Sequence, residues 1–426
     1  MPSPKLTFTL ELLTPAVLGG PYPRRCDPYM PLRPASLRGL WRYWFRAAVA
    51  SLLWPEPGQE ELLLKELRKA ESSLFGDTEQ RSYFALRPPV GLRPGRLDRP
   101  ADNSGLRYLG YGLFEDRDRL PDCLPANQTA DVECVLRRLS PPHIEALLAS
   151  VWLWSTFGGL GARSRRGWGS VRLKDVKGPG DIAAPWRELL QPAATPQHHL
   201  TRVNTGINAA YDAFEKLLKV EGLGRRFRNN DARGPHPAIR TLEGIANLHN
   251  LHSLPHDFNS GLDALDHAGK LFCEYRSTLA RRARGQRPLP DYFDVKAALQ
   301  SPDSIPRTIR RAAFGLPLRF YFRSLNGHTA LLLPRLPDRQ RSDRLASPLL
   351  FRVFALEKDR KLRYGLALIN LAGKPHSPPL QGCELVLTSN GRPKPVQAPS
   401  STLIHDFIDW AVQQPLTSSP PARRRR

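Results

Sequence analysis

This 426-residue sequence makes no provision for disulfide bridging, membrane crossing or acidic balance. The five cysteines (Cys26, Cys123, Cys134, Cys273 and Cys383) are odd in number, scattered, and never set in a C-x-x-C pair. That spacing argues against a disulfide framework and a cysteine zinc site, and predicts reduced, structural thiols. No stretch reaches the run of about 18 apolar residues that a membrane-crossing helix needs. The opening MPSPKLTFTLELLTP has neither the basic nor the apolar region of a signal peptide, so a cytoplasmic protein is expected. Acidic residues are the clearest shortage: 40 Asp and Glu stand against 63 Lys and Arg, a formal charge of +23. Solubility does not require a surplus of that size, and it points to a polyanionic partner. Nucleic acid and anionic membrane are the two candidates, and the missing apolar segments weigh against membrane.

What is present begins with alternation. LTFTLELL (Leu6 to Leu13) alternates apolar and polar residues and stops at Thr14-Pro15, which predicts a strand. Ser36 then offers an N-cap to a helix whose apolar positions Leu37, Leu40, Trp41, Trp44, Phe45, Ala48 and Leu52 follow helical spacing. Arg38, Arg42 and Arg46 recur every four residues along that helix, so they form one stripe beside the core face. The plainer reading of the stripe is a solvated edge whose alkyl stems lie on apolar surface. A helix is expected near Glu60 to Ser73, weak strands at RSYFALR and LRYLGYGLF, a helix over Pro141 to Phe157 and a strand at SVRLKDV. This order is the β-α-β-β-α-β arrangement of a ferredoxin-like domain.

PGDIAAPWRELLQPAATPQ reads as a connector. Beyond it, helices at 207–220 and 264–284 and strands between Phe314 and Ser389 predict another α+β unit, closed by a helix near STLIHDFIDWAVQ. The expected fold is therefore α+β, with tandem ferredoxin-like (RRM-like) domains at 1–178 and 179–413, the second divergent, and a disordered basic tail at 414–426. The 42 prolines and 31 glycines cluster in stretches such as Arg87 to Gly105 and Arg287 to Asp294, which predict irregular insertions.

The segment GGLGARSRRGWGSV, Gly158 to Val171, follows the Pro141–Phe157 helix. It lacks G-K-[ST] and opens no helix, so it is neither a Walker A loop nor a dinucleotide fingerprint, and no cofactor is expected. Backbone recognition of a nucleic acid strand suits it better. Gly158, Gly159, Gly161, Gly167 and Gly169 let main chain approach phosphate or ribose. Arg163, Arg165 and Arg166 supply charge and bidentate forks. Trp168 either offers a stacking face for a base or fills the core beneath the loop. The plainer reading of the whole loop is a surface turn with incidental charge.

These segments also carry a resemblance. TPAVLGG after the first strand, LRPASLRGLWRYWFRA, Leu74-Phe75-Gly76 and FGGLGARSRRGWGSV together resemble the RAMP proteins of CRISPR systems, whose shared mark is a glycine-rich loop after the second helix of a ferredoxin-like fold. AAFGLPLRF and RLASPLLFRVF resemble C-terminal segments of RAMP subunits of the type III-B Cmr complex. Residues of about 80 to 135 and 180 to 300 match nothing in that pattern. The resemblance implies a non-catalytic RNA-binding subunit near the 3′ part of a guide RNA, with guide RNA, target RNA and other Cmr RAMP subunits as partners in antiviral defence. It implies RNA contact at Arg33, Arg38, Arg42 and Arg46, and at Arg163, Arg165 and Arg166. Such contacts go to phosphate and sugar and position a strand without reading its sequence.

A catalytic alternative rests on HNLHSLPHD, where His249, His252 and His256 are spaced by three and four, with His236 upstream and Asp257 alongside. On one helical face these imidazoles could gather a metal, or one could act as general base for 2′-hydroxyl attack in a metal-independent endoribonuclease. Pro255 interrupts such a helix, and a loop or interface role is the expectation. Asp27, in RRCDPY, is a lesser catalytic candidate that a local ion pair explains as well.

Overall fold

A computed structural model describes residues 4–22, 24–53, 60–116, 119–223, 251–278, 290–301, 304, 308–335, 344–371, 384–389, 392–400 and 402–416. The chain divides into two compact units. One comprises residues 1–102, 109–265 and 350–371, the other 103–108, 266–349 and 372–426. Residue 178, where the sequence suggested a boundary, falls inside the first unit. The basic tail from residue 417 lies outside the described residues.

The first unit is built on β1 (Lys5–Leu12), α1 (Pro34–Leu52), α2 (Glu60–Phe75), β2 (Phe84–Leu86), β3 (Gly95–Arg96), α3 (Gly105–Leu109), β4 (Asp122–Cys123), β5 (Thr129–Leu136), α4 (Pro141–Phe157) and β6 (Val171–Lys177), with α3 contributed largely to the second unit. Its main sheet is antiparallel in the order β2-β5-β1-β6. The alternation in β1 buries Leu6, Phe8, Leu10 and Leu12 on one face, where Phe8 meets Trp41 of α1 edge to face at 5.5 Å. Trp41 in turn packs 6.3 Å from Trp154 of α4, so both helices cover the same face of the sheet. Edge-to-face geometry suits the ring quadrupoles, and burial of the rings supplies most of the stabilisation.

Several sequence expectations shift here. Helix α1 begins at Pro34, whose fixed φ suits the first helical position, with Arg33 at the N-cap, so Ser36 lies in the first turn and caps nothing. LRYLGYGLF is not a strand. Its first part is the short α3, because Gly105 of the second unit sits so close to Gly269 that the Cβ of any other residue would stand 2.0 Å or so from backbone. The third strand of the sheet is instead TADVECVL, β5, whose alternation the sequence reading passed over. The expected connector contains α5 (Ala184–Leu190), which buries Trp186, and leads into the long α6 (Pro196–Val220). Helix α4 is buried nearly all round because α6 packs against it.

A second sheet of the first unit joins β7 (Leu251–Ser253) to a hairpin of Leu349–Lys358 and Lys361–Asn370. In the second unit, antiparallel strands Leu318–Phe322, His328–Arg335, Glu384–Ser389 and Arg392–Val396 form one sheet. Its other apolar centre gathers Phe272 and Tyr275 of helix Gly261–Thr278 around Phe314 and Phe407, the last on helix Thr402–Val412. The fold is α+β with several antiparallel sheets. Cys26, Cys123, Cys134 and Cys273 are unbridged. No helix among the described residues is long and apolar enough to cross a membrane.

At the start of α4, His143 is buried, stacked on Tyr83 at 4.7 Å, with Nδ1 2.9 Å from Ser140 Oγ and Nε2 3.2 Å from Glu221. Burial holds its imidazole below the ordinary value of 6.5; Glu221 partly offsets this and Arg138 adds to it. The unfolded chain therefore takes up the proton first as pH falls. The contribution of His143 is complete above about pH 6.5 and is lost as pH drops toward the folded value. Melting temperature measured from pH 7.5 to 5 should fall less steeply in a His143→Gln variant than in the wild type, and equal slopes would show that this histidine does not govern acid sensitivity.

Candidate nucleic-acid interface

Residues 158–169 leave the end of α4 and fold back on residues 14–17. The Leu160 amide donates to Gly169 O, the Ala162 amide to Val17 O and the Gly169 amide to Pro15 O, each at 2.8 Å. Thr14 Oγ1 donates to Gly167 O and accepts from the Ser170 amide, both at 2.8 Å and both buried. Gly161 and Gly169 have φ of +73° and +65°, and a Cβ there would stand 2.2 Å from Val17 O and 2.0 Å from Leu160 O. Gly158 lies under Trp44, Gly159 faces Gly169 O, and Gly167 lies against Phe351. The close approaches are to the protein's own backbone at Gly159, Gly161 and Gly169, and chiefly to the side chains of Trp44, Trp154 and Leu265 at Gly158 and Gly167.

The structure decides between the two readings of Trp168. It is 1% exposed and packs 5.7 Å from Phe114, so it anchors the loop and presents no face to a base. The arginines divide. Arg163, in left-handed backbone at φ +62°, is exposed and reaches across Gly112. Arg165 is half-buried and its carbonyl accepts from the Phe351 amide at 3.0 Å, while the Arg166 guanidinium lies over the Phe351 ring at 5.8 Å.

The stripe on α1 is mostly occupied. Arg42 and Arg46 both meet Glu71 of α2: Arg42 Nε is 2.7 Å from Oε1, and Arg46 Nη2 donates to the same oxygen at 2.9 Å. Arg42 also donates to Gly76 O at 2.5 Å. Arg38 lies over the Phe84 ring at 5.3 Å, and burial, then the neighbouring Arg42, pulls its guanidinium below the ordinary value. These three side chains tie α1 to α2 and to the sheet. Arg33 is exposed and donates to Gly19 O at 3.2 Å.

The open feature beside the loop is a groove of about 440 Å³. Val17, Leu18, Gly112, Leu113, Gly161 and Ala162 line it, with Arg24 among the lining residues. Arg24 donates to Arg119 O at 2.9 Å. In the segments that border the groove, Tyr22, Tyr29 and Tyr111 are 71%, 96% and 70% exposed. Arg24 and these tyrosines were passed over in sequence because nothing in RRCDPYM or LGYGLF tells an exposed ring from a buried one.

Also missed was Arg352, 4% exposed on the Leu349–Lys358 strand. Its Nε donates to Thr156 O at 3.0 Å and its Nη2 donates to Ser155 O and Val171 O. The guanidinium thus closes the C-terminal end of α4, where carbonyls lack helical partners and the dipole favours a cation. Burial pushes its pKa down to about 9.

The histidine reading changes as well. His236 and His249 lie outside the described residues. His252 is on a strand opposite Leu368, not on a helical face, and His256 lies beyond Pro255. Asp257 is bound by Arg363 at 2.9 Å and Lys358 at 3.4 Å, with Arg363 foremost in holding its carboxyl below the usual range. Among the described residues no group of three or more His, Cys, Asp or Glu could hold a metal ion. Among the described residues Asp27 makes no ion pair of the kind expected. Its carboxylate accepts from the Met30 and Tyr29 amides at 3.0 and 2.9 Å, which lowers its pKa and closes a turn.

The model of the RAMP superfamily matches residues 9–172. Among curated proteins, the CRISPR system Cmr subunit Cmr1-1 of Pyrococcus furiosus is 26% identical over 218 residues, 50% of this chain and 58% of its own length. Cmr1-2 of the same organism is 25% identical over 189 residues, 40% of this chain and 95% of its own length. The chain thus spans less than two thirds of the first relative. The crystal structure of Cmr1 from Pyrococcus furiosus in its apo form shares the fold, with a TM-score of 0.52 at 17% identity over 96% of this chain and 95% of that one.

Two substitutions separate scaffold from surface. Gly169→Ala forces a Cβ onto Leu160 O in left-handed backbone and should cost about 2 kcal/mol or more by chemical denaturation. Glu71→Gln removes the partner of two arginines and should cost about 1 kcal/mol while leaving retention on a polyanion column unchanged. Markedly tighter retention of Glu71→Gln would show that freeing Arg42 and Arg46 creates a binding surface.

Proposed function

We propose, from the match of residues 9–172 to the RAMP superfamily, that the protein is a non-catalytic RNA-binding subunit of a type III-B CRISPR (Cmr) effector complex. The observation that carries the RNA-binding reading is the groove beside the glycine-rich loop, where Arg24 and Gly161 line an open channel and exposed Arg33 and Arg163 stand in the adjoining segments. Arginine forks and exposed aromatic faces are the groups with which proteins hold single strands irrespective of sequence. The excess of +23 supplies the long-range attraction. In this reading the partners are guide RNA, target RNA and neighbouring Cmr subunits, and the role is antiviral defence in the cytoplasm. On the same reading the first unit is a ferredoxin-like domain, supported by its strand order and by the two crossover helices α1 and α4.

Of the arginines that the sequence assigned to RNA, this reading keeps Arg33 and Arg163 and adds Arg24. Arg38, Arg42, Arg46 and Trp168 serve the scaffold. A binding subunit needs no general base, and the pairing of Asp257 with Arg363 and Lys358 leaves that carboxylate no acid-base role beside His256.

Fluorescence anisotropy with a labelled single-stranded RNA across a salt series tests both halves of the reading. The Arg24→Ala, Arg33→Ala, Arg163→Ala triple variant should bind at least tenfold more weakly, and its slope of log K against log salt should flatten by about 2, given roughly 0.7 per phosphate contact. RNA recovered from the same samples should be intact. Unchanged affinity would remove the groove as the binding surface, and cleavage abolished by His252→Ala or His256→Ala would replace the non-catalytic reading with an endoribonuclease.

A further inference from the structure

A second, smaller cavity of about 70 Å³ lies within the first unit, lined by the end of α4, β6, the α5–α6 connection and the Leu349–Lys358 strand. One water occupies roughly 10–15 Å³ on this measure, so the space admits about five waters or one tetrahedral oxyanion, and excludes a base or a ribose. Arg172, His199, Arg202 and Arg352 line it, and no carboxylate does.

The charges there are unequally met. Arg172 is paired with Glu11 at 2.5 Å. Arg352 places Nε and Nη2 on three carbonyls, which supply hydrogen bonds and no counter-charge, and Nη1 takes part in none of these bonds. Arg202 donates to Gln191 O and has no acidic partner among the described residues. His199 stacks face to face on Phe354, centroids 3.8 Å apart and planes 2° from parallel, so its two nitrogens lie on an edge free of the stack. Burial first, then Arg202 and Arg352, drives its pKa down to about 3, so the ring is neutral at physiological pH and can donate from one nitrogen. A buried guanidinium without an opposite charge is costly, and a void beside it sized for an oxyanion is where that charge would come from.

We infer that this cavity is an oxyanion site that takes a single phosphate group, held by Arg202 and Arg352 with His199 as a further donor. It is separate from the groove and does not rest on the RNA reading. The phosphate is either free inorganic phosphate or one carried on an oligonucleotide, and the two sources are separable.

The test is a thermal-shift series on the full chain at constant ionic strength, with sodium phosphate against sodium chloride, and with a 5′-phosphorylated tetranucleotide against its 5′-hydroxyl form. Each is repeated on Arg202→Gln and on Arg68→Ala, an exposed control on α2. Arg202 is half-buried and not clamped to the end of α4, so its replacement leaves the Arg352 bonds intact. The wild type and Arg68→Ala should gain about 3 °C in Tm with phosphate over chloride, and Arg202→Gln should gain nothing. A gain with inorganic phosphate identifies the free ion as ligand; a gain confined to the phosphorylated tetranucleotide identifies the chain-borne group. No gain with either probe, or an undiminished gain in Arg202→Gln, would overturn the site.

Discussion

The hydrogen bonds that close residues 158–170 onto residues 14–17 are the constraint on which the first unit's surface depends. Thr14 Oγ1 uses its single hydroxyl as donor to Gly167 O and as acceptor from Ser170, so one side chain serves both arms of the loop. Each such buried bond contributes about 1 kcal/mol, and an unpaired group left at the same place would cost more. With the amides of Leu160, Ala162 and Gly169 already committed, the loop is a rigid wall rather than an open nest of donors. Its rigidity holds Gly161 and Ala162 against the groove and leaves Arg163 pointing outward. Arg352 supports the same structure from the opposite side, where its guanidinium joins the end of α4 to the start of β6.

Charge is distributed with the same economy. A surplus of +23 could repel the folded chain apart, yet the arginines nearest the core are consumed locally: two on Glu71, one on Phe84, one on Phe351 and one on the end of α4. Arg24, Arg33 and Arg163 are exposed outside the helices and strands, where a polyanion can reach them without disturbing a helix. The distinction between arginines that hold the fold together and arginines that face solvent is a matter of partner geometry, since their chemistry is identical.

That distinction also marks how much was legible in the sequence. Period-two alternation in β1 and the helical spacing of Leu37, Trp41, Trp44 and Phe45 carried real information, because each element buries one face. The glycine-rich loop was recognisable by composition, and its resemblance to the RAMP pattern was legible with it. The partners of its residues were not. Whether Trp168 points at solvent or at Phe114, and whether Arg42 is free or bound to Glu71, depends on residues 25 to 60 positions away, which no local pattern encodes. TADVECVL was overlooked as a strand because its charged residues dilute the alternation, and LRYLGYGLF misled because Gly105 is recruited to a close helix contact in the second unit. The histidine spacing of three and four suggested a helix, but pairing with Leu368 made the segment around His252 a strand.

Ultraviolet cross-linking of the full chain to a uniformly labelled single-stranded RNA, with the adducts mapped by mass spectrometry, tests the central claim most directly, because exposed tyrosines beside a bound strand form adducts readily. Adducts are expected on the segments carrying the exposed Tyr22, Tyr29 and Tyr111. Adducts confined to the α1–α2 face around Tyr43, with those three tyrosines unmodified, would contradict it and return the arginine stripe of α1 to the interface.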